Sequence, residues 1–168
     1  MTARKRLILF ALTLALATPG CFTKRIPAGG AQSRDCVSRK ALTNVRLIVA
    51  AELGRVDVMN SMIKSGADVN VSDDFFGTPI VAAATSGNYD AVKLLLNSGA
   101  NVNATDAKGY SALMVATRDG NTEIVRKLLT DGADPNVSNS RRLTALGIAK
   151  STNNFEILKL LTDAGAKE

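Results

Sequence analysis

The sequence predicts an all-α solenoid of about four helix-turn-helix repeats joined by β-hairpin loops, and two features carry that prediction. The first is a set of Gly-Ala pairs spaced 33 residues apart, which begin at Gly66, Gly99, Gly132 and Gly165. A fixed period of that length indicates stacked repeats rather than one globular core. The second is a pair of short helical patterns within each period, followed by a polar, turn-rich stretch. The expected repeats are approximately 41–73, 74–106, 107–139 and 140–168.

The first helix of each unit is clearest in the second repeat. Thr78 and Pro79 are predicted to be its N-cap and first residue, because the threonine hydroxyl can accept a bond from a free amide and proline has no amide to leave free. The apolar residues that follow share one face and are Ile80, Ala83 and Ala84. Gly87 is predicted to end the helix, because a left-handed conformation costs glycine no steric penalty.

A second helix is predicted from about Tyr89 to Asn97, with Val92, Leu95 and Leu96 on its apolar face. Phe155 occupies the same repeat position as Tyr89. We expect both aromatic side chains to lie in the core.

The polar stretch between units is predicted to be a hairpin. Residues 101–110 follow Gly99 and are rich in turn formers, and Asp106 and Gly109 are placed for a tight turn. Each unit should therefore run helix, turn, helix, hairpin.

These residues resemble the ankyrin repeat family, whose first helix begins with a Thr-Pro-Leu pattern and whose second helix leads into Gly-Ala-Asp-Val-Asn. The helix pattern is matched by Thr78-Pro79-Ile80, Ser111-Ala112-Leu113 and Thr144-Ala145-Leu146. The loop pattern is matched by Gly66-Ala67-Asp68-Val69-Asn70, Gly99-Ala100-Asn101-Val102-Asn103 and Gly132-Ala133-Asp134-Pro135-Asn136. The resemblance covers about 41–168 and implies an ankyrin-like solenoid.

The chain departs from the family pattern in two ways. The family's histidine, which commonly braces neighbouring loops, is replaced at Val81, Met114 and Gly147, and the chain contains no histidine at all. In the first unit, Val45 and Arg46 replace the Thr-Pro pair. A degenerate first repeat is typical of a capping repeat.

The N-terminus has the layout of a secretory signal peptide, with Arg4, Lys5 and Arg6 ahead of an apolar run that is too short to span a bilayer. We expect a bacterial protein that is exported, and two processing sites are open. Cleavage after Ala17 would give a signal of 1–17 and a soluble periplasmic or secreted protein. The segment Thr18-Pro19-Gly20-Cys21 resembles a lipoprotein box and would give a signal of 1–20 with lipid on Cys21.

Cysteine use leaves the same alternatives open, since the only cysteines are Cys21 and Cys36. Cleavage after Ala17 would leave both cysteines in the mature chain, where they could form a disulfide in an oxidising compartment. Lipidation of Cys21 would leave Cys36 as a free thiol, or as a thiol that pairs with a partner protein.

Net charge is +6, and all of this positive excess lies outside the repeats. The signal segment holds three basic residues, and 22–40 hold five basic residues and one acidic residue, which leaves 13 basic against 14 acidic residues in 41–168. The basic segment 21–40 is expected to be a flexible tether, with contact to anionic lipid headgroups as the alternative. A repeat domain without a basic stripe argues against nucleic-acid binding.

Catalytic signatures are absent from the sequence: there is no histidine for a triad, no Cys-His cluster, no phosphate-binding loop and no nucleophile elbow. We therefore expect no enzyme activity and no cofactor. The aspartates fall at turn positions rather than in a calcium-loop spacing, so we expect no metal site. The glycosylation-like triplets at Asn70, Asn103 and Asn136 recur every 33 residues, which identifies them as repeat asparagines.

The resemblance implies that partners bind to the hairpin tips and to the concave face of the first helices. The corresponding positions are Asp74, Phe75, Phe76, Thr85, Ser86, Lys108, Tyr110, Arg118, Asp119, Arg141 and Leu143. Phe76 occupies the tip position that Gly109 holds in the next unit. Exposed aromatics near an arginine are typical of interface anchors, and a Phe76 that folds back over the adjacent hairpin is the alternative.

The predicted function is that of a monomeric, non-catalytic module of the bacterial envelope that binds another protein, an envelope or periplasmic enzyme. Its membrane contact would be a lipid anchor at Cys21. Three alternatives stay open: self-protection against a cell-wall hydrolase or other enzyme, a secreted effector that binds a host protein, and a regulator of periplasmic redox defence.

Overall fold

Paired helices form the whole of the regular structure in the residues that the computed structural model describes, which are 43–74 and 77–167. These residues contain eight helices in chain order. They are α1 (43–52), α2 (Val56–Lys64), α3 (Pro79–Ser86), α4 (Tyr89–Asn97), α5 (Ala112–Arg118), α6 (Thr122–Thr130), α7 (Ala145–Ser151) and α8 (Phe155–Asp163). Short antiparallel bridges close the hairpins, at Asp73–Gly77, Thr105–Ser111 and Ser138–Thr144. The predicted all-α solenoid with hairpin loops is confirmed.

The helices stack in two rows. First helices pack on first helices, with α3 against α5 and α5 against α7. Second helices do the same, with α2 against α4, α4 against α6 and α6 against α8. Because each unit buries its apolar face mainly against its neighbours, the core is continuous along the stack.

The core repeats with the sequence period. Leu95 and its equivalents Leu128 and Leu161 are completely buried on the second helices. Alanines fill the equivalent central position of the first helices, where Ala83, Ala116 and Ala149 have no exposed surface. Small side chains there let neighbouring first helices approach closely.

The predicted helix ends are only partly confirmed. Gly87 ends α3 in the left-handed conformation, with φ of 68°, as expected. Thr78 occupies the N-cap position, but its hydroxyl accepts no capping bond, and this buried oxygen has no hydrogen-bond partner among the described residues. The predicted cap bond is therefore wrong for Thr78, although the hydroxyls of Ser111 and Thr144 do cap α5 and α7.

The prediction that Tyr89 and Phe155 are core residues is also wrong. Tyr89 is 37% exposed and Phe155 is 79% exposed. Each is the first residue of its helix, and the buried face of that helix begins two residues later, at Ala91 in α4 and Ile157 in α8. Two residues correspond to a rotation of about 200° around an α-helix. The first residue of each helix therefore points away from the buried face.

The repeated asparagines after each Gly-Ala pair connect neighbouring units. The side chain of Asn70 donates to the Gly99 carbonyl at 3.0 Å and accepts from the Asn101 amide at 2.7 Å. Asn136 makes the equivalent pair of bonds, with the Gly165 carbonyl at 3.4 Å and the Lys167 amide at 2.8 Å. These side chains are structural connectors, which agrees with their interpretation as repeat asparagines rather than glycosylation sites.

Several predictions concern residues outside the described part of the chain: the signal segment, the tether at 21–40, Cys21, Cys36, Phe75 and Phe76. Among the helices that are described, none has both the length and the apolar character needed to cross a membrane. The residues from Thr43 onward group into one compact unit.

Candidate functional site

The third-unit hairpin has a backbone fixed by one aspartate. The Asp106 carboxylate accepts from the amides of Lys108 at 2.9 Å and Tyr110 at 2.8 Å. Its backbone amide donates to the Tyr110 carbonyl at 3.0 Å, and Gly109 donates back to the Asp106 carbonyl at 2.9 Å. Gly109 has φ of 79°, a conformation that side-chain-bearing residues rarely adopt. The predicted tight turn is confirmed, and it presents Lys108 at an exposed tip.

The fourth-unit hairpin repeats this geometry with different side chains. The Asn139 side chain accepts from the amides of Arg141 at 2.9 Å and Leu143 at 3.0 Å. Arg142 takes the position of Gly109 and has φ of 57°. A left-handed conformation costs an L-residue about 1–2 kcal/mol. The hairpin therefore carries an arginine where glycine would be less strained.

The second-unit hairpin is closed by two backbone bonds between Asp73 and Gly77, of 2.9 and 2.7 Å. Asp74 lies in the turn and is exposed. Phe75 and Phe76, which the sequence suggested as aromatic anchors, lie outside the described residues.

Two of the predicted contact residues are only partly exposed. Tyr110 and Leu143 are partly buried and pack against the core. Lys108, Arg141 and Asp74 are exposed instead. The charged members of the set are therefore the ones that lie free of the core at the hairpin tips.

The ends of the first helices supply the rest of the predicted site. The Thr85 hydroxyl donates to the Val81 carbonyl at 2.9 Å, and the Ser86 hydroxyl donates to the Ala83 carbonyl at 2.7 Å. Both hydroxyl groups lie on exposed residues. The Thr85 oxygen can accept a bond from a partner's donor, and the Ser86 oxygen, which already accepts from the Asn88 amide at 3.3 Å, has one lone pair left.

Arg118 and Asp119 form a forked ion pair at the end of α5. The Nε–Oδ1 distance is 2.9 Å and the Nη2–Oδ2 distance is 3.1 Å. The hydrogen bond to Asp119 raises the pKa of the Arg118 guanidinium above its ordinary value, and burial opposes that rise. An exposed pair of this kind contributes little to stability, but it holds a planar donor group in a fixed orientation.

Charge changes sign along the row of hairpin tips. The second unit presents two carboxylates, Asp73 and Asp74; the third presents Lys108 beside Asp106; the fourth presents Arg141 and Arg142 with a neutral asparagine at the base. We call this row, with the first-helix ends beside it, the hairpin edge; it comprises residues 73–74, 85–86, 106–110, 118–119 and 139–143. It is acidic at one end and basic at the other.

The opposite row of second helices carries an open groove of about 470 Å³, lined by Tyr89, Glu123, Arg126, Lys127 and Thr130. Its charges are largely compensated, since Lys127 pairs with Asp131 at 2.8 Å and Arg126 lies 3.5 Å from Glu156. Because these charges already pair with one another, this surface should attract a charged partner less strongly than the hairpin edge does.

Arg142 is the residue of this edge that the sequence reasoning missed. The 33-residue period places it at the position of Gly109, so the alignment of the repeats already carried the signal.

Across residues 43–74 and 77–167, no group of three or more His, Cys, Asp or Glu side chains is arranged to hold a metal ion.

The comparisons with known proteins agree with this architecture. A family model described as ankyrin repeats (3 copies) matches residues 47–139, which is more than half of the 168-residue chain. No curated protein matches the sequence. In the structure, the same helix pair continues beyond the matched span through α7 and α8. Repeats of this family are generally protein-protein interaction modules and typically non-catalytic. This chain therefore belongs to the ankyrin-repeat family.

Proposed function

We propose that this protein is a non-catalytic binding module of the bacterial envelope, and that its hairpin edge and adjacent first-helix ends hold another protein, an envelope or periplasmic enzyme. The observation that carries the proposal is the combination of rigid tip backbones with exposed, charged tip side chains. Asp106 and Asn139 each fix a hairpin through two side-chain bonds. Lys108 and Arg141 then extend from those hairpins without packing against the core.

Rigidity matters because binding costs less when the contact groups are already ordered. The backbone at each tip is closed both by the side-chain bonds and by the flanking bridges Thr105–Ser111 and Ser138–Thr144. A partner would therefore order the long side chains but not the loops. Successive tips lie on successive stacked units, so together they form one continuous surface rather than separate loops.

The first-helix ends extend this surface with polar groups. Thr85 and Ser86 offer acceptor oxygens, and the paired Arg118 and Asp119 offer a fixed donor fork. Such a surface suits a polar partner face with hydrogen-bonding groups. We propose that the protein acts as a monomer, because the exposed large apolar side chains of the described residues are few and belong to three different units: Leu53, Val58, Tyr89 and Phe155. Apolar side chains exposed singly are normal on a monomer's surface.

Affinity capture from envelope extract tests the proposal, with the chain tagged at its C-terminus. Lys108→Ala and Arg141→Ala should each weaken capture. The expected loss of binding free energy is about 0.5–1 kcal/mol, and it is larger if the side chain lies near the centre of the interface. The matched controls are Lys64→Ala and Lys159→Ala, which remove exposed lysines from second helices and should leave capture unchanged. If the second-helix changes abolish capture while the edge changes are silent, the partner binds the opposite row.

The identity of the captured protein separates the alternative functions. A cell-wall hydrolase inhibited by this chain would support self-protection. A redox-defence enzyme would support a regulator. A protein captured from a host-cell extract, used in place of the envelope extract, would support an effector.

Export and anchoring form a separate part of the proposal, supported by the basic residues and apolar run before Cys21. We propose that Cys21 carries lipid and holds the protein at the membrane. Cys21→Ser should then release the protein from the membrane fraction or block its maturation, while Cys36→Ser should leave it membrane-bound. An intact mass that begins at Thr18 and contains no lipid would contradict the anchor.

A further inference from the structure

The two adjacent arginines at the tip of the fourth hairpin, Arg141 and Arg142, place two like charges side by side on the hairpin edge. Both are exposed, and neither guanidinium forms an ion pair with a described carboxylate. At the base of the third hairpin the equivalent position is Asp106, a carboxylate that accepts from the Lys108 backbone amide. In the fourth hairpin that position is the neutral Asn139.

The backbone at this tip is a second, independent observation. Arg142 has φ of 57°, whereas the third hairpin places Gly109 in the same conformation. Strained backbone conformations cluster at functional sites. In the described residues Arg142 and Asn153 are the non-glycine residues with positive φ, and asparagine adopts that conformation more readily than arginine does. Packing does not account for the arginine, because its side chain is exposed.

We propose that Arg141 and Arg142 bind a carboxylate-rich segment of the partner protein, an inference that rests on the proposed protein-binding function. The guanidinium fork matches a carboxylate with two parallel hydrogen bonds. Two adjacent guanidinium groups on a fixed hairpin therefore favour a segment with at least two acidic side chains.

The charge order along the edge favours a protein over a lipid surface as the source of those carboxylates. Asp73 and Asp74 lie at the other end of the edge, and a uniformly anionic membrane that touched all the tips would be repelled there. A partner protein can be acidic opposite Arg141 and Arg142 and neutral or basic opposite the aspartates. The same order also fixes the direction in which the partner lies along the stack.

The test uses the full chain and a fluorescent hexaglutamate peptide as the probe. The informative variant is Arg142→Gly, because glycine relieves the left-handed conformation while it removes the guanidinium. We expect thermal stability to stay equal or rise while affinity for the peptide falls, and we expect the Arg141→Gln/Arg142→Gly double variant to lose about three- to tenfold in affinity. A merely structural role for Arg142 would make stability and affinity change together.

Arg46→Gln/Arg55→Gln is the matched control, since both are exposed arginines of the first unit and their loss removes the same two charges. It should change affinity less than about twofold if binding is local to the tip. Equal losses in the control and in the double variant would overturn the proposal, as would unchanged peptide binding by the double variant. Vesicles of phosphatidylglycerol form the second arm. A loss of vesicle binding without a loss of peptide binding in the double variant would overturn the proposal in favour of a lipid site.

Affinity capture keeps this inference separable from the proposed function. A partner still captured at full strength by the double variant would overturn the inference and leave the proposed function intact. Failure of the wild-type chain to capture any protein would count against the proposed function, and the peptide measurement would still decide whether the arginine tip binds carboxylates.

Discussion

Replacing Asn70 by alanine should destabilise the stack, because this one side chain joins the loops of two neighbouring units. Its amide nitrogen donates to the Gly99 carbonyl at 3.0 Å, and its oxygen accepts from the Asn101 amide at 2.7 Å. A hydrogen bond contributes about 0.5–1.5 kcal/mol net, and both bonds are exposed to solvent. We therefore expect Asn70→Ala to lower the free energy of unfolding by about 1–2 kcal/mol.

The cost of replacing a repeat asparagine (Asn70, Asn103 or Asn136) by alanine should depend on how many inter-unit hydrogen bonds its side chain makes. Asn103 makes one inter-unit bond in the described structure, by accepting from the Asp134 amide at 2.8 Å, whereas Asn70 makes two. Asn103→Ala should thus cost about half as much as Asn70→Ala. Asn70→Asp keeps the acceptor but loses the donor, and it places a carboxylate beside the Gly99 carbonyl, so it should cost about 1 kcal/mol.

Reversible urea unfolding, followed by far-UV circular dichroism, measures these changes as shifts of the midpoint at constant slope. Asn97→Ala is the matched control, because Asn97 is exposed at the end of α4 and should change stability by no more than about 0.5 kcal/mol. A cost for Asn103→Ala larger than that for Asn70→Ala would refute the reasoning, as would silence of both variants.

Three further substitutions test the packing. Leu95→Ala should cost about 2–5 kcal/mol in urea unfolding, because Leu95 is completely buried; a cost of a few tenths would place it off the core. Phe155→Ala should cost less than about 0.5 kcal/mol at 79% exposure, and a loss of about 3 kcal/mol would restore the core position first predicted. Thr117→Val should raise thermal stability, by about 1 kcal/mol, because the buried Thr117 hydroxyl has no hydrogen-bond partner among the described residues; a fall in the melting temperature would show that the hydroxyl is satisfied.

The repeat and the helices could be predicted from the sequence because they depend on local patterns. The second helix of the second unit was predicted from Tyr89 to Asn97 and has those bounds. Its apolar spacing and the glycine turns around it require no knowledge of distant contacts. The buried rows at Leu95 and Ala83 followed from the same period.

The wrong predictions concern residues whose local pattern does not determine the direction in which the side chain points. Tyr89 and Phe155 are large apolar residues inside helices, but the first residue of each helix points away from the face that packs. Thr78 has a side chain suited to an N-cap, yet its hydroxyl is buried without a capping bond. In both cases the residue type was interpreted correctly and the orientation of its side chain was not.

Departures from the period carry the information about function, because the period itself already accounts for the packing. Positions such as Leu95 and Leu128 repeat because every unit must complete the core of the next. The hairpin tips are free of that requirement, and the equivalent position holds Phe76, Gly109 and Arg142 in successive units. Glycine adopts the left-handed backbone there at the lowest cost, so an arginine with φ of 57° costs stability relative to glycine. The proposed binding of a partner's carboxylates by that guanidinium would give the arginine a use that glycine lacks. The tip formed by Arg141 and Arg142 is therefore the first place to test for partner binding.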